Sequence, residues 1–512
     1  MSALKFKKLL VANRGEIAVR VIRACRELGI PTLALYQPAD IGSLHVRLSD
    51  ECSLLDAPGG FLNQEAILKI ARDKGADAIH PGYGYLAEQP DFVRACEEAG
   101  IAFIGQPSEV LATMRCKLDA LQRAREAGYP TVEHSADAFE ASDEQAVSEA
   151  AERLGYPLVI KSCYGGRGPG ERMVHSADGL LKALRSARRE AQAVYNCQDV
   201  YLEKAILPVI QIGVQLLCDR HGNRVHLGEI QALAQHGNRR VIAESPAPGL
   251  SPDLRERLRQ AALVLASAFN LQNAGTVEFL IDGRGGFYFT EIKPRLQLEH
   301  PLIEIVSRVD LVHAQLRLAA GELLPFRQQD LQLAGHALLA RVNAEDPWNA
   351  FLPSPGSLRQ VWLPGGPHVR VDTYVYSGCA IPGEYDPLIA KLTVWGEERP
   401  VCLQRMRRSL EEFKLVGPPT NLSLIQNILS TAEFVRGSYV TGFRPQPDPD
   451  HRPANHLRDL AVASAVLYLM REQCYQPPAP ENRENHHWQR DVRIPAQWTY
   501  TGLFNAKDGS DR

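Results

Sequence analysis

Two short apolar runs flanking one amphipathic helix, all within residues 8–36, commit the start of this chain to a parallel sheet. Residues 8–12 read as a buried strand, and Asn13-Arg14-Gly15 turns the chain. From Glu16 onward Ile17, Val21, Ala24, Cys25 and Leu28 recur at helical spacing. Gly29 and Pro31 stop that helix, and residues 32–36 supply the next strand. A strand–helix–strand unit pairs its strands in parallel. A third run, 76–79, delivers His80-Pro81-Gly82-Tyr83-Gly84 to the carboxyl edge of the sheet, where open α/β sheets hold ligands.

After Lys117 the pattern changes. Helices are expected over 118–127 and 142–154, then a strand over 157–161 and the glycine-rich turn Tyr164-Gly165-Gly166-Arg167-Gly168-Pro169-Gly170. Residues 210–219 read as a strand that turns at His221-Gly222-Asn223 and returns through Glu229. Residues 276–281 and 287–292 form an antiparallel pair joined by Asp282-Gly283-Arg284-Gly285-Gly286. Between 335 and 415, short strands broken by Pro and Gly suggest a small β domain. A Pro/Asp-rich linker, 445–453, precedes an apolar helix near 457–471 and a polar tail.

Composition narrows the function classes. The 57 basic and 60 acidic residues nearly cancel, which excludes a strongly basic nucleic-acid binder and any general attraction to acidic membranes. No apolar run approaches the roughly 20 residues that a spanning helix needs, and the run at the amino terminus is too short for a signal peptide. The ten cysteines form no CxxC pair, so reduced thiols in a cytoplasmic protein are expected. With 512 residues, roughly three or four domains are expected.

Two constellations carry chemistry. Glycines 165, 166, 168 and 170 let backbone N–H groups approach phosphate oxygens, and Lys161 just upstream adds a point charge. The spacing is neither a Walker loop nor a dinucleotide fingerprint, and a glycine-rich hairpin by itself is more often a turn. Glu278 and Glu291 lie on paired strands; facing one way, they can share a Mg²⁺ that bridges nucleotide phosphates. Isolated strand carboxylates are usually just solvated. Here Arg295, Gln297 and Glu299 follow at once, on one face if the segment is extended. An acid, a base and an amide beside a carboxylate pair make a poor random surface.

At this point several motifs coincide: Ala12-Asn13-Arg14-Gly15-Glu16-Ile17-Ala18, His80-Pro81-Gly82-Tyr83-Gly84, Ser245-Pro246-Ala247-Pro248-Gly249, Asn343-Ala344-Glu345-Asp346-Pro347 and Tyr385-Asp386-Pro387-Leu388-Ile389. Together and in this order they resemble the biotin carboxylase family of the ATP-grasp superfamily, from about residue 8 to 443. The resemblance implies a mixed α/β and α+β fold. Its parts would be a parallel-sheet N-terminal domain over 1–116, an ATP-grasp domain over 117–334 with a lid near 132–204, and a β-rich C-terminal domain over 335–444, leaving 445–512 as linker, helix and tail. It also implies ATP, Mg²⁺ or Mn²⁺, bicarbonate, and biotin on a separate carrier protein.

By the same resemblance, Lys117 and Lys161, with the loop glycines Gly165, Gly166 and Gly168, would hold ATP phosphates. Glu203 and Lys204 would lie at the adenine, and Gln235 in the bicarbonate loop. Glu278 and Glu291 would bind metal and Glu299 would deprotonate bicarbonate. Arg295 and Arg240 would hold the bicarbonate-derived anion, and Arg341 would stabilise the biotin enolate. A phosphoryl transfer needs cations, and a developing anion needs fixed positive charge.

The departures from the family pattern fall at the chemistry. Glu-x-Asn-x-Arg has become Glu291-Ile292-Lys293-Pro294-Arg295. An ammonium beside a divalent ion is repelled by about 8 kcal/mol at ~4 Å and an effective dielectric of about 20. Either Lys293 replaces one of two metals as a tethered cation, or the metal cluster no longer forms. Tyr164 and Arg167 interrupt the glycine run, and Pro169 removes a donor. Arg-His-Val-Glu has become Ile210-Gln211-Ile212-Gly213, and Glu-Arg-Asp-Cys-Ser has become Glu229-Ile230-Gln231-Ala232-Leu233. In the basic loop Gln235 is kept, while Arg240 stands in for a lysine and keeps the charge in a planar fork.

The expectation is a biotin carboxylase-type subunit of a multi-subunit acyl-CoA carboxylase, acetyl-CoA first among acyl groups. The chain lacks a Met-Lys-Met biotin context and any carboxyltransferase-sized region, so carrier and carboxyltransferase are expected on other chains. Arg23 and Glu27 lie where the family makes a dimer contact, so a homodimer, or a heterodimer with a homologous subunit, is expected; read plainly they are an exposed helix pair. Two alternatives stay open: a silent paralogue that supports an active subunit, and an ATP-grasp ligase for a different acceptor. His486-His487 and the Lys5-Lys7-Lys8 cluster read as solvated polar residues.

Overall fold

In the computed structural model, which describes residues 6–140, 143–165, 170–236, 239–443 and 455–474 (backbone alone at 234–236, 239, 455–460 and 472–474), the early apolar runs meet as a parallel sheet. Its five strands lie in the order Glu51–Leu54, Thr32–Tyr36, Leu9–Val11, Ala78–His80, Ala102–Phe103, and all four pairings are parallel. The helix Gly15–Glu27 buries Ile17, Val21, Ala24 and Cys25 against it. Gly29, at φ +72°, ends the helix in a conformation that a side chain would strain. Asn13 then staples the loop after the fourth run: its Nδ2 donates to the carbonyls of Pro81 at 2.7 Å and Tyr83 at 2.9 Å.

An eight-stranded antiparallel sheet forms the centre. Its order is Phe287–Lys293, Asn273–Asp282, Val209–Cys218, Arg224–His236, Arg239–Ser245, His336–Asn343, Leu388–Gly396, Val369–Thr373. The last three come from the region expected to be a small β domain, so that region's longest strands continue the central sheet. The helix Pro252–Ala268 covers the sheet with Leu254, Leu258, Ala262 and Leu265, packed in one cluster with Phe279 and Phe289. Its start is fixed by Ser251, which accepts from the backbone N–H of Leu254, and by Pro252 in the first turn. A three-stranded sheet, Arg172–Val174, Leu158–Ser162, Val200–Lys204, is backed by the helices Glu144–Leu154 and Ala177–Tyr195.

One expectation is corrected here. The segment after Lys293 is not extended: the strand ends at Lys293, because Pro294 has no N–H for a ladder, and the chain turns into the helix His300–Ser307. Residues 453–512 make a second unit, of which the helix Asn455–Cys474 is described. No described helix is long and apolar enough to cross a membrane. The nine described cysteine side chains are free thiols.

Candidate active site

Strands of the central sheet and the turn that follows Pro294 converge on one cavity of about 790 Å³. Arg240, Glu278, Lys293, Arg295, Gln297, Glu299 and Arg341 all line it. The turn thus brings together the three residues expected from a strand face, by a different backbone path. Gln297 and Glu299 are buried, while Arg295 is anchored by Glu88, whose Oε1 accepts from Nε at 2.5 Å. Glu88 carried no sequence signal, since it sits more than two hundred positions from its partner.

Glu299 is the most heavily charged-paired acid in the cavity. Arg341 bonds its Oε1, and Arg240 approaches the same oxygen at 3.7 Å. Burial by itself would raise this carboxyl; the two guanidinium groups overcome it and hold it at about 2. Against the opposing effect of burial, Glu278 first and Glu299 second keep Arg240 more firmly protonated. As it stands Glu299 is a weak base, and it gains basicity only when an anion draws the arginines away.

Glu278 and Glu291 lie directly opposite each other on neighbouring strands, as the paired-strand reading requires. Each already has a cation from the chain. Arg240 donates to Glu278 Oε1 at 2.9 Å and Gln211 donates to Oε2. Lys293 Nζ lies 3.0 Å from Glu291 Oε1. On the other side of Glu278 the register places Gly213, whose own far neighbour is Ile230. The two positions where the family pattern has Glu and Arg are therefore direct cross-strand neighbours.

Among the described residues, Lys117, Lys161, Gly165, Glu203 and Lys204 do not line this cavity. Lys161 bonds Glu203, which also accepts from Tyr201 Oη at 2.8 Å. Burial would raise Glu203, but Lys161 and Tyr201 hold it below its ordinary value. Lys204 Nζ donates to the carbonyls of Gly155 at 2.9 Å and Tyr156 at 3.1 Å, so its ammonium is committed to that loop. Burial lowers Lys117, as do Lys161 and Lys293, while Glu291 opposes the shift. These groups therefore share one electrostatic neighbourhood. Gly165, at φ +87°, has the ring of Tyr195 where a side chain would begin. Burial and nearby acids, Glu291 first, push the Tyr195 hydroxyl up to about 12. Gly166, Gly168 and the Gln235 side chain lie outside the described residues, as does His486-His487.

Sequence reading also passed over a buried floor to the cavity. Lys391 is fully buried, with Nζ 2.9 Å from Glu16 Oε2, and Tyr83 Oη bonds the other oxygen of Glu16. Burial raises Glu16 to about 6 despite Lys391. Two residues before Glu16, Arg14 bonds Asp40 at 2.8 Å and lies 3.9 Å from the Tyr385 ring centre. The motifs around Asn13, Tyr83 and Tyr385 were visible, but not that they build one wall.

Three family descriptions match in order: "Biotin carboxylase, N-terminal domain" over 5–111, "Carbamoyl-phosphate synthase L chain, ATP binding domain" over 117–327, and "Biotin carboxylase C-terminal domain" over 339–445. The biotin carboxylase of a Nostoc species is 43% identical over 443 residues, covering 86% of this chain and 99% of that protein. The alpha subunit of rat mitochondrial methylcrotonoyl-CoA carboxylase is 40% identical over 470 residues, 90% of this chain and 65% of that one. Among solved structures, the biotin carboxylase domain dimer of Hydrogenobacter thermophilus 2-oxoglutarate carboxylase, in complex with MgADP, ADP and bicarbonate, superimposes with a TM-score of 0.83. It is 39% identical, over 85% of this chain and 96% of that one. With family domains matched in order along most of its length and relatives at this identity, the chain belongs to the biotin carboxylase family.

Proposed function

We propose that this chain carries out the ATP-dependent carboxylation of carrier-bound biotin by bicarbonate, as the biotin carboxylase subunit of a multi-subunit acyl-CoA carboxylase, with acetyl-CoA the first acceptor to test. The observation that carries this is the gathering of Arg295, Arg240, Arg341, Gln297 and Glu299 on one cavity. Three guanidinium groups and an amide around a buried carboxylate suit a small planar anion and a neighbouring urea-type ring.

In this reading Arg295 and Gln297 position bicarbonate, with Arg240 as a third donor. The anion draws Arg240 and Arg341 from Glu299, whose basicity then rises, and Glu299 accepts the bicarbonate proton. Arg341 next stabilises negative charge on the ring oxygen of biotin. Lys117 and Lys161 hold the nucleotide phosphates at the Gly165 turn, Glu203 orients Lys161, and Lys204 anchors the adjoining loop. The exposed edge of the first helix, Arg23 and Glu27, is the contact proposed for a dimer, and the carrier and carboxyltransferase are separate chains.

Glu278 has both oxygens engaged by Arg240 and Gln211, whereas Lys293 engages Oε1 of Glu291. Beside these contacts the carboxylate oxygens keep lone pairs, so Glu278 and Glu291 would hold a divalent ion that neutralises phosphate charge as Arg240 and Lys293 move aside.

The test is ADP release by the purified chain with Mg²⁺ and free biotin, with and without bicarbonate, and with Lys161→Ala as control for contaminants. Bicarbonate-dependent release that disappears in the control supports the reading; no release, with nucleotide still bound, sinks it. The pairing of Glu278 with Arg240 and Glu291 with Lys293 favours a second reading, a silent subunit partnering an active homologue. That reading gains from nucleotide binding without turnover and from co-purification with such a homologue.

A further inference from the structure

Outside the cavity, three groups able to ligate a metal converge where two helices meet. Glu27 closes the helix Gly15–Glu27, while Asp310 caps the helix Leu311–Ala319 and His313 lies in its first turn. One ligand atom from each, a carboxylate oxygen of Glu27, another of Asp310 and a ring nitrogen of His313, lies within 4.8 Å of the other two. The cap explains why two of them sit together: Asp310 Oδ1 accepts from the backbone N–H of His313 at 2.8 Å.

The His313 ring points to a ligand more directly. Its Nε2 is buried and lies 3.0 Å from Glu27 Oε2, yet it makes no hydrogen bond. A nitrogen and an oxygen that close, with no proton aligned between them, suit a third atom that both can face. Zn²⁺ at about 2.0–2.2 Å from each ligand sets neighbouring ligand atoms about 3.3–3.6 Å apart in a tetrahedron. The widest pair reaches that spacing by a shift of about 1.5 Å at most.

Both carboxylates have electron pairs to offer. Oε1 of Glu27 has no partner among the described residues. Asp310 receives the His313 N–H on Oδ1 and Arg20 on Oδ2, and each oxygen keeps a further lone pair. Positive charge is scarce here. Arg20 is divided between Asp310 at 2.6 Å and Glu304 at 3.0 Å. Among the described residues no lysine or arginine pairs with Glu27. Two carboxylates thus share part of one fixed cation.

We infer that Glu27, Asp310 and His313 bind one divalent transition-metal ion, Zn²⁺ by ligand type, with solvent at the open position. An imidazole with two carboxylates suits Zn²⁺, whereas Mg²⁺ and Ca²⁺ take oxygen ligands alone. All three ligands belong to a single chain and lie outside the catalytic cavity, so the claim stands apart from the proposed function.

The experiment counts Zn²⁺ on the full chain, stripped with chelator and held without nucleotide, by equilibrium dialysis over a Zn²⁺ series. His313→Ala is expected to hold one Zn²⁺ fewer per chain than the wild type, and Glu27→Lys, which puts an ammonium at the ion's place, to lose the same one. Glu291→Gln, at the cavity, is expected to keep it. Equal uptake by the wild type, His313→Ala and Glu27→Lys overturns the inference, as does loss of this ion in Glu291→Gln. Should His313→Ala not fold, His313→Gln and Glu27→Gln are each expected to weaken uptake of that ion by more than about tenfold, the least cost of disturbing a metal's surroundings. Unchanged affinity in both overturns it.

Discussion

The anion cavity and the carboxylate pair beside it are built from the same sheet, yet they treat charge in opposite ways. In the cavity, Arg240, Arg295 and Arg341 outnumber the acid they surround, Glu299, and leave positive charge available to a ligand. At the pair, Glu278 and Glu291 are balanced by Arg240 and Lys293, and little charge is left over. Arg240 belongs to both regions, which makes the balance transferable: an anion entering the cavity loosens Arg240 from the acids on either side. Each region carries one departure from the family pattern: Lys293 where asparagine is usual at the pair, and Arg240 where lysine is usual in the cavity.

Removing the acid has the largest expected effect. Glu299→Gln is expected to lower bicarbonate-dependent ADP release by about 10²–10⁴-fold, the usual worth of a positioned base, with nucleotide binding intact. A loss below about tenfold would mean that Glu299 is only the arginines' counter-ion. Next in size, Arg295→Ala should cost about 10²–10³-fold in turnover, as expected for a donor aimed at developing charge. Steady-state kinetics over a bicarbonate series would show it, and an unchanged rate would take Arg295 out of the anion site.

The carboxylate side is sharpened by restoring what was lost. Gly213→Glu places a carboxylate beside Glu278, and its Cβ would meet Thr276 Cγ2 at 3.0 Å. It should destabilise the fold by about 3 kcal/mol, the cost of a buried charge with no partner. Adding Ile230→Arg on the facing strand should recover most of that in chemical unfolding. If the double variant is no better than the single, the two losses were independent.

The smallest effect is a pair of pH dependences with opposite signs. Glu299 has a depressed pKa, so its share of stability is complete above the ordinary 4.5 and is lost as pH falls through about 2. Glu16 is raised from 4.5 to about 6, so the fold is favoured below 4.5 and loses about 2 kcal/mol as pH climbs through 6. Unfolding measured between pH 4.5 and 7 should show that decline, and Glu16→Gln should flatten it. An unchanged slope in the variant would assign the decline to other groups.

The parallel sheet and the antiparallel carboxylate pair were legible because each depends on local pattern: strand length, helical spacing and short connecting turns. The direct opposition of Glu278 and Glu291 followed from a short loop that leaves few registers. The extended reading of Arg295, Gln297 and Glu299 failed for a local reason as well, since Pro294 ends the strand. Yet all three side chains still reach the cavity.

What the sequence by itself determined was the kind of residue at each station, including that Lys293 and Arg240 stand where other groups are usual. Tertiary structure alone decided what those cations do. Arg240 meets Glu278 and Glu299 across 38 and 59 positions of chain, and Lys391 finds Glu16 across 375. Such pairings come from strand order within a sheet, which sequence spacing does not encode. They set the charge on Glu299 because burial, the largest single influence, is overcome only by Arg341 and Arg240 acting together.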